Sequence, residues 1–256
     1  MCSVCAVHAF SRRGLGRAMA AACVAITGTA RAAEADAPVE PRIKLANVPP
    51  DKRIVALTFD CCPGAFDLRI ADVLITERIP ATIFITWLWM RRNPEGLALL
   101  LAHPDLFAIE NHGEMHLPPI LGDRTIFGLR VAGTMVAIQR EVANGASAIQ
   151  AATGVKPRWY RAAAGFYSPS VIPAIEAMGF AIGGYTFSAD LGASLPAARV
   201  TARMAAAKSG DVIVAHINQP SRPSGAGVVD GLRALQGQGT VSVRLDRVAT
   251  TRAAYA

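Results

Sequence analysis

After residue 52 the sequence alternates between short apolar runs and longer segments with apolar residues every three to four positions, and this alternation most constrains the fold. Such runs predict buried strands, and such segments predict amphipathic helices. Strands that alternate with helices form parallel sheets, so the sequence predicts an α/β fold, either a (β/α) barrel or an open sheet. The predicted strands span 53–60, 81–86, 107–111, 158–161, 180–187, 211–216 and 241–245, and the predicted helices 66–78, 94–102, 132–152, 170–178, 196–208 and 226–238.

Ionisable side chains interrupt the apolar runs at the places where five of the predicted strands end. In α/β barrels the chemistry collects at the carboxyl ends of the strands. Five groups of complementary type at that end favour the barrel over the open sheet, and they mark a candidate active site. The five residues are Asp60, His112, Arg161, Asp190 and His216.

The 256 residues divide into a short N-terminal targeting segment, a leader, one domain and a C-terminal tail. Residues 1–32 carry the Arg12-Arg13 pair, a short apolar run at 18–26 and a small-x-small site at 30–32, which together predict an export signal. The paired arginines resemble the twin-arginine type, so we expect a periplasmic or secreted protein. Residues 33–52 form a leader, 53–246 the single barrel domain, and 247–256 a C-terminal tail.

Charge and hydropathy exclude two classes of partner. The net charge is +7, but four arginines and no acidic residue lie within residues 1–32, so the remainder carries only 22 basic against 19 acidic residues. That balance argues against nucleic-acid binding. No run reaches the roughly 18 apolar residues that a membrane-spanning helix requires.

The strongest local motif is His112-Gly113-Glu114-Met115-His116, which sets two imidazoles four residues apart after a strand. On one turn of helix these positions share a face, so both rings can reach one cation. The zinc-peptidase motif is excluded, because its glutamate must directly follow the first histidine.

These motifs together resemble the polysaccharide deacetylases of the NodB-homology type (carbohydrate esterase family four). The matching elements are Thr58-Phe59-Asp60, the His112 to Pro118 segment, Arg161 after an aromatic strand, Asp190, and Val214-Ala215-His216. The resemblance covers about residues 50–246. It implies a distorted (β/α)7 barrel that hydrolyses N-acetyl, sometimes O-acetyl, groups on sugars with a divalent metal, usually zinc.

The resemblance also implies a role for each residue. His112 and His116 become metal ligands, Asp60 the general base and His216 the general acid that protonates the leaving amine. Arg161 would then orient Asp60, and Asp190 would orient His216 and raise its pKa.

The chain departs from the family where the third metal ligand is expected. The family reads Thr-Phe-Asp-Asp-Gly-Pro and binds metal with the second aspartate, whereas this chain has Cys61 and then Cys62 after Asp60. Three replacements are open, namely Asp67, the thiolate of Cys61, or Asp60 itself. Asp67 is favoured because a carboxylate preserves the charge and hardness of the site.

The third family motif, Arg-x-Pro-Tyr, is also altered, since Arg161 is followed by Ala-Ala-Ala-Gly. This removes an aromatic wall of the sugar groove, for which Trp87, Trp89 and Tyr167 are candidate replacements. The sequence thus predicts a metal-dependent N-deacetylase acting on peptidoglycan or an N-acetylglucosamine polymer. The alternatives are a non-catalytic carbohydrate-binding relative and an O-acetyl esterase.

Overall fold

The computed structural model describes residues 36–253, and the predicted export signal at 1–32 lies outside them. The strands of the main sheet are β2 (Ile54–Cys61), β3 (Ala81–Ile85), β4 (Phe107–Asn111), β7 (Trp159–Tyr160), β8 (Ala181–Ile182), β9 (Phe187–Ser188), β10 (Val212–His216) and β11 (Val241–Val243). Seven of them are parallel and follow one another around a curled sheet in the order β8-β7-β4-β3-β2-β10-β9, and β11 pairs with the first residues of β2. This confirms the predicted distorted (β/α)7 barrel.

Seven α-helices lie in the described part of the chain, and most of them connect one strand to the next. They are α1 (Leu68–Thr76), α2 (Trp87–Arg92), α3 (Pro94–Leu101), α4 (Met135–Thr153), α5 (Ile172–Ala177), α6 (Ala197–Ala205) and α7 (Ser224–Gly237). None of the helices within residues 36–253 is both long and apolar enough to cross a membrane.

The centre of the barrel is held by β2, in which every residue from Val55 to Cys61 is buried. Its side chains pack with those of β3, including Ile83 and Ile85, and with Trp89 of α2. Full burial of such a side chain contributes about 1.5–3 kcal/mol relative to leaving it in water. The parallel sheet is therefore anchored on the strand that ends beside the candidate site.

The predicted strand at 180–187 is two strands, β8 and β9, separated by residues 183–186, which begin with Gly183 and Gly184. A Cβ at Gly183 would lie 2.9 Å from the ring of Phe84, and one at Gly184 would collide with the carbonyl of Pro41. Close backbone approach at these two glycines bends the chain away from a continuous ladder.

Regular structure also occurs where the sequence predicts none. Strands β1 (Arg42–Leu45) and β12 (Thr250–Ala253) lie within the predicted leader and tail, and they pair antiparallel with each other. A hairpin of β5 (Thr125–Ile126) and β6 (Leu129–Arg130) precedes α4. Two-residue strands are too short to show a periodicity.

Candidate active site

The parallel register of β2 and β10 brings two of the predicted site residues next to each other. Asp60 lies directly opposite His216 on the neighbouring strand. His112 follows β4 and donates its amide to the carbonyl of Ile85 at the end of β3. The amide of Arg161, which follows β7, bonds to the carbonyl of Asn111 in the same way. The ends of five strands thus meet at the carboxyl edge of the sheet.

Asp60 forms a buried ion pair with Arg161. Nη1 of Arg161 donates to Oδ1 of Asp60 at 2.8 Å and to Oγ1 of Thr58 at 2.9 Å, while its Nε donates to the carbonyl of Gly183 at 2.7 Å. Burial opposes ionisation of Asp60, but the charges of Arg161 and of the nearby imidazoles outweigh it and hold its pKa below the ordinary value. The second oxygen, Oδ2, lies 3.9 Å from Nε2 of His112.

His216 is fixed by Asp190, a fully buried residue of the loop after β9. Oδ1 of Asp190 lies 2.9 Å from Nδ1 of His216, and Oδ2 accepts the backbone amide of His216 at 2.7 Å. Burial alone would lower the pKa of His216, but the paired carboxylate raises it well above the ordinary value. The bidentate contact fixes both the ring and the strand end.

The loop that carries the two predicted metal ligands is held against α4. The amides of Met115 and Leu117 donate to the buried carboxylate of Glu141, at 2.9 and 3.1 Å to its Oε1. Gly113, with φ at +94°, allows this approach, since a Cβ there would lie 2.5 Å from the same oxygen. His116 adopts φ at +66°, a strained conformation for a residue with a side chain.

The two histidines present free ring nitrogens to each other and to a sulfur. Nδ1 of His112 lies 2.9 Å from the carbonyl of Arg161, so it carries the proton and leaves Nε2 as a lone pair. Nε2 of His116 is buried and has no hydrogen-bond partner within the described residues. Sγ of Cys62 lies 3.5 Å from Nε2 of His112, and the ligand atoms of all three residues lie within 4.8 Å of one another. This donor set fits a divalent cation.

The structure gives Asp67, the favoured third ligand, a different role. Asp67 is the N-cap of α1, where Oδ1 accepts the amide of Arg69, and both of its oxygens bond the guanidinium of Arg69 at 2.8 and 2.6 Å. The ligand atoms of Asp67 do not group with those of His112 and His116. We therefore correct the assignment of Asp67 to the metal.

Sγ of Cys61 does not group with the histidine nitrogens either. Cys61 is fully buried in the hydrophobic core around β2, and burial raises the pKa of its thiol well above the ordinary value. Cys62 is not among the predicted ligands, although strand alternation points to it: residues 60 and 62 share a face of the chain, and residue 61 faces the other way.

Of the aromatic residues expected to replace the missing wall, Trp89 and Tyr167 are core residues with almost no exposed surface. Trp87 is half-buried and stacks with Arg91 at 4.8 Å. A different aromatic surface is formed by Phe127, at the tip of the β5–β6 hairpin, whose ring centroid lies 5.9 Å from that of Phe166. Phe127 is 81% exposed.

Comparison with known proteins agrees with this geometry. Residues 47–183 match the profile of the polysaccharide deacetylases, which is more than half of the chain. The chain belongs to the polysaccharide deacetylase family. No curated protein matches it closely.

Solved structures of polysaccharide deacetylases share the fold at low sequence identity. Peptidoglycan deacetylase PdaC from Bacillus subtilis is 21% identical, with a TM-score of 0.63 over 78% of this chain and 91% of that one. The Bc1960 peptidoglycan N-acetylglucosamine deacetylase is 19% identical, with a TM-score of 0.65 over 80% and 90%. BA3943, a pseudoenzyme of carbohydrate esterase family four from Bacillus anthracis, is 20% identical, with a TM-score of 0.61 over 78% and 66%. The chain thus spans just under two thirds of that pseudoenzyme.

Proposed function

We propose that this chain is a metal-dependent deacetylase that removes N-acetyl groups from a glycan, either peptidoglycan or another N-acetylglucosamine polymer. One observation carries the proposal: two imidazole nitrogens lie beside an Asp60–Arg161 pair and a His216–Asp190 pair at one edge of the barrel. Amide hydrolysis needs an electrophilic centre, a base and an acid, and this edge offers a residue for each.

His112 and His116 would hold the metal, with the sulfur of Cys62 next to them. Zinc, the metal that the family most often uses, accepts this combination of nitrogen and sulfur. When bound, the cation supplies a Lewis acid that polarises the amide oxygen and lowers the pKa of water to about 7.

Asp60 is suited to the role of base because its two oxygens have different surroundings. Arg161 holds Oδ1, and Oδ2 faces the imidazole of His112. The lowered pKa keeps Asp60 ionised at neutral pH, so Oδ2 is ready to take a proton from water. Arg161 acts through Asp60 as a positioning residue.

His216 is suited to the role of acid. Asp190 binds Nδ1, so Nε2 is the nitrogen from which a proton would pass to the departing amine, and the ring also hydrogen-bonds the thiol of Cys62. The raised pKa keeps the imidazolium form populated near neutral pH, which a general acid requires. An amine leaving group needs this proton more than an alcohol does, so the His216–Asp190 pair favours amide over O-acetyl ester hydrolysis.

The decisive test is acetate release from N-acetylglucosamine oligomers by the protein treated with a chelator and then resupplied with zinc. We expect release to disappear with the chelator, to return with zinc, and to be abolished in His112→Ala. Full activity in His112→Ala would overturn the proposal. Glycan binding without acetate release at any zinc concentration would favour the non-catalytic carbohydrate-binding alternative.

We also propose that residues 1–32 direct export to the periplasm or the medium. The Arg12-Arg13 pair before a short apolar run supports this. Replacing both arginines with lysine should retain the protein inside the cell, and unchanged fractionation would count against a twin-arginine signal.

A further inference from the structure

The third metal ligand of the family is absent at position 61, and the described part of the chain, residues 36–253, offers one replacement. Sγ of Cys62 lies 3.5 Å from Nε2 of His112. In a tetrahedral zinc site with Zn–S of about 2.3 Å and Zn–N of about 2.0–2.1 Å, adjacent sulfur and nitrogen ligands lie about 3.6 Å apart. The two atoms are therefore already at the separation that a shared cation requires.

Nε2 of His112 and Nε2 of His116 have no hydrogen-bond partner other than this sulfur among the residues that the structure describes. Nδ1 of His112 is tied to the carbonyl of Arg161, which directs Nε2 toward the sulfur. Nε2 of His116 is buried without a hydrogen bond among the described residues, and a buried polar atom left in that state costs free energy. The left-handed backbone of His116, and the hydrogen bond from the neighbouring amide of Met115 to Glu141, hold the imidazole of His116 in this position.

The other candidate ligands have other functions in the fold. Cys61 packs in the core, and Asp67 caps α1 and binds Arg69. Oδ1 of Asp60 accepts a hydrogen bond from Arg161, and Oδ2 lies 3.9 Å from a single histidine nitrogen, Nε2 of His112. Cys62 is the residue whose ligand atom groups with both imidazoles.

We propose that Cys62 is the third ligand of a two-histidine, one-thiolate metal centre. The ligand that the family places at residue 61 is thus supplied here by residue 62. The inference rests on the metal site of the proposed function. On binding, the S–H bond breaks, a metal–sulfur bond forms, and the proton leaves to solvent. A thiolate selects zinc or cobalt over magnesium, calcium and manganese, which prefer oxygen ligands. It also makes the centre sensitive to thiol oxidants.

Cobalt substitution tests the ligand without any assay of activity. The full chain is stripped with a chelator and titrated with Co²⁺, and a thiolate-to-cobalt charge-transfer band is recorded in the near ultraviolet. We expect the band at one equivalent in the wild type, its loss in Cys62→Ser, and a zinc affinity weaker by at least about 100-fold in that variant, since even residues behind the ligands change affinity 10–100-fold. Cys61→Ala is the matched control and should retain the band. Asp67→Asn, which preserves the helix cap, should retain it as well.

A band that persists in Cys62→Ser, or cobalt binding by the wild type without a band, would overturn the assignment. Because a variant can fail to fold, the wild type is also alkylated with and without zinc, and the peptide that contains Cys61 and Cys62 is sequenced by mass spectrometry. Zinc should protect Cys62, and equal labelling in both states would refute the proposal. Loss of the band in Cys62→Ser without acetate release from the wild type would uphold the ligand and reject the catalytic function. Zinc-dependent acetate release by the wild type, together with an intact band in Cys62→Ser, would reject Cys62 as the ligand and uphold the catalytic function.

Discussion

Glu110 on β4 gives the clearest prediction about stability, because it is a buried carboxylate whose charge the fold opposes. Its Oε2 accepts the amides of Arg158 and Trp159 at 2.7 and 2.8 Å. Burial nevertheless dominates these bonds and the charge of Arg158, and it raises the pKa of Glu110 from 4.5 to about 7. At pH values between 4.5 and about 7, Glu110 is therefore protonated in the folded protein and ionised in the unfolded chain.

The sign and the size of the effect follow from proton linkage. Where the folded state binds more protons, the free energy of unfolding falls as pH rises. A difference of about 2.5 pKa units at 1.36 kcal/mol each amounts to about 3 kcal/mol, lost between pH 4.5 and 7 and constant above that range. Against a typical total of about 5–15 kcal/mol, a loss of this size is easily measured.

Glu110→Gln removes the charge and keeps an oxygen to accept both amides. Urea unfolding of the two proteins is measured from pH 4.5 to 8, and the difference between them isolates Glu110 because all other groups are shared. We expect the wild type to lose about 3 kcal/mol relative to the variant across this range. Parallel stability curves would refute the reasoning, since they would mean that Glu110 ionises in the folded state as it does in the unfolded chain.

Two further predictions concern the residues behind the site. Glu141→Ala should weaken zinc binding roughly 10–100-fold in a chelator competition, because the loop amides lose their acceptor. The exposed Gln139→Ala on the same helix should not weaken it, and equal affinities of Glu141→Ala and the wild type would show that the loop needs no such support. Asp190→Asn should lower kcat about 10²–10⁴-fold and move the basic limb of the pH profile to lower pH, because Asp190 raises the pKa of His216. An unchanged pH profile in Asp190→Asn would contradict the acid role of His216.

The barrel was predictable because its longer strands are buried on both sides and read as continuous apolar runs. β2 and β4 were located to within one residue at each end. The same logic predicted that polar side chains at strand ends would meet, and the contacts of Asp60 with Arg161 and of Asp190 with His216 are as expected. Partners from distant parts of the sequence are recognisable when each terminates a strand of one parallel sheet.

Elements fixed by tertiary contact were not predictable from a local pattern. β1 and β12 are stabilised by pairing with each other across almost the whole chain. Helix α2 is only six residues long, capped by Thr86, and its first amides bond the carbonyls of Gly113 and Glu114 in the loop of the histidines. Segments this short have no periodicity to detect, and only the neighbouring loop explains their position.

The error over the third ligand has a different origin, because its physical signal was present in the sequence. Strand alternation puts Asp60 and Cys62 on one face and Cys61 on the other, and β2 extends through residue 61, so the rule still applies there. Asp67 was favoured for its chemistry, yet an aspartate just before a helix is first a candidate N-cap, and Arg69 two residues later binds its remaining charge. Where a ligand type and a strand register disagree, the register decides which side chains can reach the metal at all. Chemistry then selects among those side chains, and here it leaves a thiol where the family has a carboxylate.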